Sequence, residues 1–178
     1  MNTYISMLRG INVTGHNKIS MPDLKNFYES LDFQNVVTYI QSGNVIFDTK
    51  LKDLSKLSAL IELNIKKSFN LDVSVILRNK IDLKRIISDN PFIKRNEDPS
   101  KLHITFLQTP PYYLNKLSSI LIDTDEFIII DKEIFLFCPN GYGRTKFTNN
   151  FFENKLSLTA TTRNWNTVNA LYKIVCDR

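Results

Sequence analysis

Hydrophobic and polar positions in the first half of the chain switch between the two-residue period of a strand and the longer period of a helix. Apolar and β-forming side chains fill residues 4–13, and residues 24–31 carry apolar side chains at helical spacing. The next apolar runs flank Ser42-Gly43-Asn44 within residues 36–47, a pattern typical of an antiparallel hairpin. Helical spacing returns over residues 54–69 and is followed by a strand pattern over residues 72–77. The predicted order is β-α-β-β-α-β.

The second half of the chain repeats most of this order. Its predicted elements are a short helix near residues 83–87, a strand at 102–108, a helix at 113–121, strands at 127–131 and 134–138, and helices at 148–156 and 163–175. The order predicted from the strand at 102–108 onward is therefore β-α-β-β-α, followed by an extra helix.

Proline and capping residues predict where several elements begin or end. Ser20 precedes Pro22 and Asp23, an arrangement typical of a helix start in which the hydroxyl caps the first turn. Asn90 stands before Pro91, which disfavours helical backbone angles at Asn90 and should end a helix there. Polar and proline-containing sequence collects over residues 79–100, which places the boundary between the two halves in this stretch.

Split β-α-β units of this kind form an antiparallel sheet with helices on one face, the ferredoxin-like arrangement. The chain is therefore predicted to be an α+β protein of two tandem ferredoxin-like (βαββα) subdomains with antiparallel sheets and an extra C-terminal helix. We expect the N-terminal subdomain to span residues 1–80, and the C-terminal subdomain with the extra helix to span residues 81–178.

Composition narrows the class of protein without naming a function. The 178 residues are 43% hydrophobic and 23% charged, which is ordinary for a globular protein. No apolar run approaches the roughly 20 residues of a membrane span, and the N-terminus lacks the features of a signal peptide, so a cytoplasmic location without membrane association is expected. Cys138 and Cys176 lack metal-ligand spacing and are expected to be reduced thiols. The net charge of +5 is modest for a nucleic-acid binder.

Basic and amide side chains concentrate in two parts of the sequence. The fold alone does not require so many of these side chains there. The candidate ligand-binding residues are Arg9, Asn12, His16, Asn17, Lys18, Gln41, Asn44, Tyr142, Arg144, Thr145, Lys146, Arg163, Asn164 and Asn166. The C-terminal members stand before apolar runs of helical period, and donors at a helix start suit an anion. We expect the first loop and the C-terminal residues to converge on one surface. A solvated basic face is the simpler alternative.

Familiar catalytic and nucleotide-binding patterns are not matched. The stretch from Gly141 to Lys146 fits neither a P-loop nor a dinucleotide fingerprint, because the required glycines and spacing differ. Neither His16 nor His103 has cysteine or carboxylate neighbours at metal-ligand spacing, so no metal and no cofactor is predicted. His103 alternates with apolar neighbours on a strand, which favours an outward structural residue. Trp165 shares a helical face with apolar residues, which favours core packing. No catalytic residue is predicted.

Several segments resemble the bacterial family known as domain of unknown function 1697. They are Leu8-Arg9-Gly10-Ile11-Asn12-Val13, His16-Asn17-Lys18, residues 38–47, Gly141-Tyr142-Gly143-Arg144-Thr145-Lys146 and residues 161–167. Thr14 stands where the family often has a second glycine. The resemblance spans almost the whole chain and implies two ferredoxin-like halves, without an established activity.

The function predicted from the sequence is binding of an anionic ligand, nucleic acid or a nucleotide, through a face rich in basic and asparagine side chains. One alternative is an enzyme that uses the same polar residues on a small phosphorylated or carboxylated substrate. Another is an interaction module in which these residues hold the structure together. The sequence does not decide among them, nor does it determine the oligomeric state.

Overall fold

The computed structural model describes residues 1–13, 15–112 and 123–178, so the helix predicted at residues 113–121 lies outside the described residues. Backbone contacts divide the chain into two compact units. The first unit contains Met1–Asp82 together with Lys173–Arg178, and the second contains Leu83–Tyr172. Whether residues 1–80 and 81–178 are separate domains stays a prediction.

The first unit is a four-stranded antiparallel sheet with two helices. Its elements are β1 (Asn2–Leu8), α1 (Met21–Ser30), β2 (Gln34–Tyr39), β3 (Asn44–Thr49), α2 (Leu54–Phe69) and β4 (Val75–Asn79). The strand order is β2-β3-β1-β4, and every neighbouring pair is antiparallel.

Helix α1 shows how local sequence builds this unit. The Ser20 hydroxyl accepts a hydrogen bond from the Asp23 backbone N–H at 3.1 Å, which caps the first turn as predicted. The apolar stripe of α1 is buried in the same hydrophobic cluster as alternate residues of β1 and β3 and the inner face of α2. Within this core, the Tyr28 hydroxyl lies 2.6 Å from the Ser6 hydroxyl, so the buried polar groups satisfy each other.

The remaining elements form a second sheet with its own helices. They are α3 (Lys80–Asp89), α4 (Pro91–Lys94), β5 (Leu102–Leu107), β6 (Glu126–Ile130), β7 (Glu133–Phe137), α5 (Asn149–Leu156), β8 (Ala160–Asn164) and α6 (Trp165–Cys176). The first three residues of α3 and the last four of α6 belong to the first unit. The strand order is β6-β7-β5-β8, again antiparallel throughout. Helix α3 ends just before Asn90, whose side-chain oxygen then caps α4, as the Asn90-Pro91 sequence predicts.

The two sheets have the same topology, because β5 to β8 take the places of β1 to β4. Both also carry a buried arginine on the last strand, where Arg78 pairs with Ile5 and Arg163 pairs with Ile104. The predicted α+β class, with two ferredoxin-like halves, antiparallel sheets and an extra C-terminal helix, is confirmed.

Strand β8 corrects one element of the sequence prediction. A helix was predicted from residue 163, yet Ala160–Asn164 is a strand and α6 begins at Trp165. The sequence Ala-Thr-Thr-Arg-Asn has no alternation of apolar and polar side chains, although Thr161 and Arg163 are both buried. Because the buried positions of this strand are polar, hydrophobic periodicity could not find it.

Candidate functional site

The candidate residues of the first unit lie in the loop after β1 and in the β2–β3 hairpin, and we call them the first-loop cluster. Its members are Arg9, Asn12, His16, Asn17, Lys18, Gln41 and Asn44. Asn12 connects the two segments, because its side-chain amide donates to the Ile19 carbonyl at 2.9 Å and to the Gln41 carbonyl at 3.0 Å. The Ile19 N–H donates back to the Asn12 side-chain oxygen at 2.9 Å. Asn12 has a positive φ of 55°, which asparagine tolerates better than most residues.

Two further asparagines of the first-loop cluster also hold backbone in place. The Asn17 amide donates to the Gly10 carbonyl at 3.1 Å. The Asn44 amide is buried and donates to the Tyr39 carbonyl at 3.1 Å and to the Ser42 hydroxyl at 3.0 Å. These hydrogen bonds fix the loop and hairpin that carry the remaining members.

The exposed members of the first-loop cluster are His16, Lys18 and Gln41, whereas Arg9 is half-buried. Within the part of the chain that the structure describes, neither Lys18 nor His16 lies within ion-pair distance of a carboxylate. The loop therefore presents cationic and amide groups to solvent on a backbone fixed by three asparagines.

The candidate residues of the second unit lie after β7, at the end of β8 and at the start of α6, and we call them the second cluster. Its members are Tyr142, Arg144, Thr145, Lys146, Arg163, Asn164 and Asn166. Tyr142–Arg144 form a 3₁₀ turn rather than the start of α5, which begins at Asn149 with Thr148 as its cap. Arg144 and Lys146 are exposed and have no carboxylate partner among the described residues.

Thr145, which lies between Arg144 and Lys146 in the sequence, makes hydrogen bonds within the second unit. Its side chain is buried, and its hydroxyl accepts a hydrogen bond from the Phe147 N–H at 3.1 Å. The Cys138 thiol also hydrogen-bonds this hydroxyl, while burial raises the pKa of Cys138 to about 11. A thiol with such a pKa is a poor nucleophile near neutral pH, so Cys138 is a core residue.

Arg163 occupies a different position from the helix start predicted for it. It lies on β8 and is buried, and its guanidinium donates to the Thr161 hydroxyl at 2.8 Å and to the Thr162 carbonyl at 2.9 Å. Burial lowers the pKa of Arg163 to about 10, which still leaves it charged at neutral pH. Asn164 caps α6 by accepting from the Thr167 N–H at 2.8 Å, and Asn166 in the first turn is exposed.

His103 on β5 joins the second cluster, although the sequence suggested only an outward structural residue. Its ring stacks on Tyr142 with centroids 4.6 Å apart, and it pairs in register with Asn164 of β8. The pairing brings residues that follow β7 and residues at the end of β8 into one neighbourhood of the second unit. The alternation of His103 with apolar neighbours predicted that its side chain points outward. Nothing in the sequence indicated that the ring would stack on Tyr142.

Acid should destabilise the protein through His103. Burial lowers the pKa of His103 below its ordinary value of 6.5, and the Lys101 carbonyl opposes this only in part. The unfolded chain therefore binds this proton more readily than the folded chain, so stability falls as the pH drops below about 6.5. We expect urea denaturation midpoints from pH 7 to pH 5 to fall less for His103→Phe, which keeps an aromatic ring, than for the wild type. An equal fall in both proteins would assign the effect to other groups.

The two clusters offer binding chemistry rather than a recognisable catalytic set. Among the described residues, no group of three histidine, cysteine or carboxylate side chains is arranged to hold a metal ion. Exposed cations and amides suit the recognition of anions. Whether the first-loop cluster and the second cluster form one surface stays a prediction.

Comparison with known proteins identifies the family. The family described as "Protein of unknown function (DUF1697)" matches residues 1–135, which include all of the first-loop cluster but end before Tyr142. The chain belongs to this family. A solved structure described as that of the conserved bacterial protein SP0830 from Streptococcus pneumoniae is 22% identical in sequence, with a TM-score of 0.76 and coverage of 98% of each chain. That likeness shows a shared fold.

Two further findings concern the sequence and the helices of this DUF1697 protein. No curated protein shows significant sequence similarity to the chain. None of the helices in the described ranges is long and apolar enough to cross a membrane.

Proposed function

We propose that this DUF1697 protein binds an anionic ligand, nucleic acid or a nucleotide, through the exposed side chains of the first-loop cluster and the second cluster. The observation that carries the proposal is that Lys18, Arg144 and Lys146 are exposed and have no carboxylate partner among the described residues. A cation without an internal carboxylate keeps its full charge available for a phosphate.

Several other cations of the protein form ion pairs. Arg85, Arg95 and Arg178 all form ion pairs within their own units, at 2.5, 2.8 and 3.4 Å respectively. The exposed lysine Lys66 likewise lies 2.7 Å from Asp72. Other exposed lysines, among them Lys80 and Lys84, also have no carboxylate partner among the described residues. The cations of the two clusters differ in sharing their segments with the exposed amides Gln41 and Asn166, and cations together with amides suit an anionic partner.

The amides of the clusters support binding indirectly. Asn12, Asn17 and Asn44 hold the first loop and the hairpin, so Lys18 and Gln41 project from backbone that is already ordered. Asn164 caps α6 in the same way. Backbone ordered before binding lowers the conformational entropy lost when a ligand is bound.

The test of the proposal is the double variant Arg144→Ala with Lys146→Ala. If both side chains contact phosphate, binding should weaken to a similar extent for unrelated sequences. Each lost contact should reduce the slope of log affinity against log salt by about 0.9 on duplex or about 0.7 on single strands. Fluorescence anisotropy with labelled single-stranded and duplex oligonucleotides at several salt concentrations measures both quantities.

A matched control is the double variant Lys84→Ala with Lys94→Ala, which removes the same charge from exposed positions outside the clusters. It should change the salt slope much less than the cluster variant. Equal slopes for the two variants would mean that only net charge matters. If the wild type binds no oligonucleotide at low salt, a thermal-shift titration with ATP and GMP tests the nucleotide form of the proposal. No shift with either nucleotide would reject the proposal.

A further inference from the structure

A groove of about 850 Å³ lies in the first unit, at the end of the sheet where β1 begins and β4 ends. Its volume is within the range of sites that bind small molecules. The first-loop cluster follows the opposite ends of these strands, and none of its residues lines the groove. The second cluster likewise contributes no residue to the lining, so the groove is formed by residues outside those assigned to the proposed function.

One wall of the groove is a closed hydrogen-bonded network around Asp48. Its carboxylate accepts from the Thr3 hydroxyl at 2.6 Å and from the Asn35 amide at 2.7 Å, and Arg178 lies 3.4 Å away. Burial by itself would raise the pKa of Asp48, but these hydrogen bonds and the Arg178 guanidinium outweigh it and hold the pKa below its ordinary value. The Asp48 carboxylate and the Arg178 guanidinium thus carry opposite charges on this wall, and the hydrogen bonds to Thr3 and Asn35 fix the position of Asp48.

The backbone beside this wall departs from regular strand geometry. The pairing of β2 with β3 shifts register between Gln34 and Val37, and Asn35 has a positive φ of 52°. The Arg178 guanidinium donates to the Asn35 carbonyl at 2.5 Å, which holds this conformation in place. Irregularities of this kind re-aim side chains at the edge of a sheet and are common beside binding sites.

A lysine lines the groove next to the end of β4. Lys80 is exposed, has no carboxylate partner among the described residues, and is the first residue of α3. A cation there opposes the helix dipole, so helix stability does not explain its position. Asp82, whose carboxylate accepts from the Asn79 N–H, offsets part of the positive field of the helix start. The Lys80 charge itself remains unpaired.

Apolar side chains complete the lining. Val37 is 40% exposed, whereas Val175 of α6, which also lines the groove, is only 3% exposed, so Val37 supplies more of the apolar surface. The groove thus combines the unpaired Lys80 ammonium with an apolar surface. This combination fits a ligand that has one negative charge and an apolar body.

We propose that this groove is a binding site for a small organic carboxylate, in which Lys80 pairs with the carboxylate and Val37 and Val175 contact the apolar body. The Asp48–Arg178 pair forms the back wall of the site and positions Asn35. The proposal does not depend on binding of nucleic acid by the two clusters.

The experiment is a titration of the ¹⁵N-labelled protein with 4-phenylbutyrate, followed by NMR, with the neutral 4-phenylbutyramide as the matched ligand. We expect chemical-shift changes at Thr3, Val37 and Val175 with the carboxylate and much weaker binding of the amide. Lys80→Gln should weaken binding of the carboxylate about tenfold or more, the usual effect of losing a hydrogen bond to a charged group. Lys84→Gln, which removes a charge from the same helix outside the groove, should leave the affinity unchanged.

A second variant tests the apolar wall. Val37→Asp places a carboxylate beside the proposed ligand and should abolish the shift changes at Val175, while Lys80 is still present. The proposal is overturned if the shifts map outside the groove, if the amide binds as tightly as the carboxylate, or if Lys80→Gln and Lys84→Gln bind equally well.

Discussion

Arg85→Met should lower the free energy of unfolding by about 3 kcal/mol, the low end of the cost for a buried ion pair, because Glu133 is fully buried but Arg85 is 30% exposed. The Glu133 side chain on β7 is fully buried, and the Arg85 guanidinium on α3 lies 2.5 Å from its carboxylate. Asp131 lies 3.4 Å from the same guanidinium. Methionine keeps much of the aliphatic volume of arginine, so the loss measures the charge rather than a cavity. Urea denaturation followed by circular dichroism measures it.

Two further variants test whether the loss of stability in Arg85→Met is electrostatic. Lys66→Ala breaks an ion pair of similar length, 2.7 Å, but between exposed side chains, and should cost no more than about 1 kcal/mol. The double variant Arg85→Met with Glu133→Leu removes both charges and should regain most of the stability, because the buried carboxylate is then absent. If the double variant is no more stable than Arg85→Met, the cost comes from packing and the electrostatic explanation fails.

Gly43→Ala should lower the free energy of unfolding by about 2–4 kcal/mol, the sum of a backbone cost and a packing cost. Gly43 has a φ of 75°, where any side chain is strained. An added Cβ would also lie 2.6 Å from Ile11 Cδ1 and 3.0 Å from Leu8 Cβ, and both residues are buried. The strain falls where the hairpin meets the first loop, so the same substitution should also disturb the first-loop cluster.

Two other glycines separate the backbone and packing contributions. Gly10 has a φ of 72° with nothing within 4 Å of an added Cβ, so Gly10→Ala should cost about 1 kcal/mol from the backbone alone. Gly143 has neither a positive φ nor a close neighbour, and Gly143→Ala should be nearly neutral. Thermal unfolding of the three variants should rank them in this order. A Gly43→Ala protein as stable as Gly10→Ala would show that Ile11 repacks without cost.

Part of the candidate site could be recognised from residue type alone. Lys18, Arg144 and Lys146 were found because basic residues far outnumber carboxylates in their segments, and charge excess is visible in a sequence. Their exposure agrees with a binding role but does not test it. The structural roles of Asn12 and Asn44 could not be predicted, because their hydrogen bonds depend on which loops come together.

Local sequence signals determined most of the elements of this protein. The Ser20 cap, the Asn90-Pro91 boundary and the helical spacing over Leu54–Phe69 each act within a few residues, where capping, steric restriction and amphipathic period operate without help from the rest of the chain. The repeated order of these elements was sufficient to predict two ferredoxin-like halves, because few topologies accommodate it.

Which polar side chains are buried, and what they contact, depends on the folded chain and could not be predicted from local sequence. Strand β8 forms because Thr161 and Arg163 pair with β5, which is far away in the sequence, and not because its own side chains alternate. His103 meets Tyr142, and Glu133 meets Arg85, for the same reason. A polar group can be buried only where distant residues supply its hydrogen bonds or its opposite charge, so its environment is a property of the folded chain rather than of the local sequence.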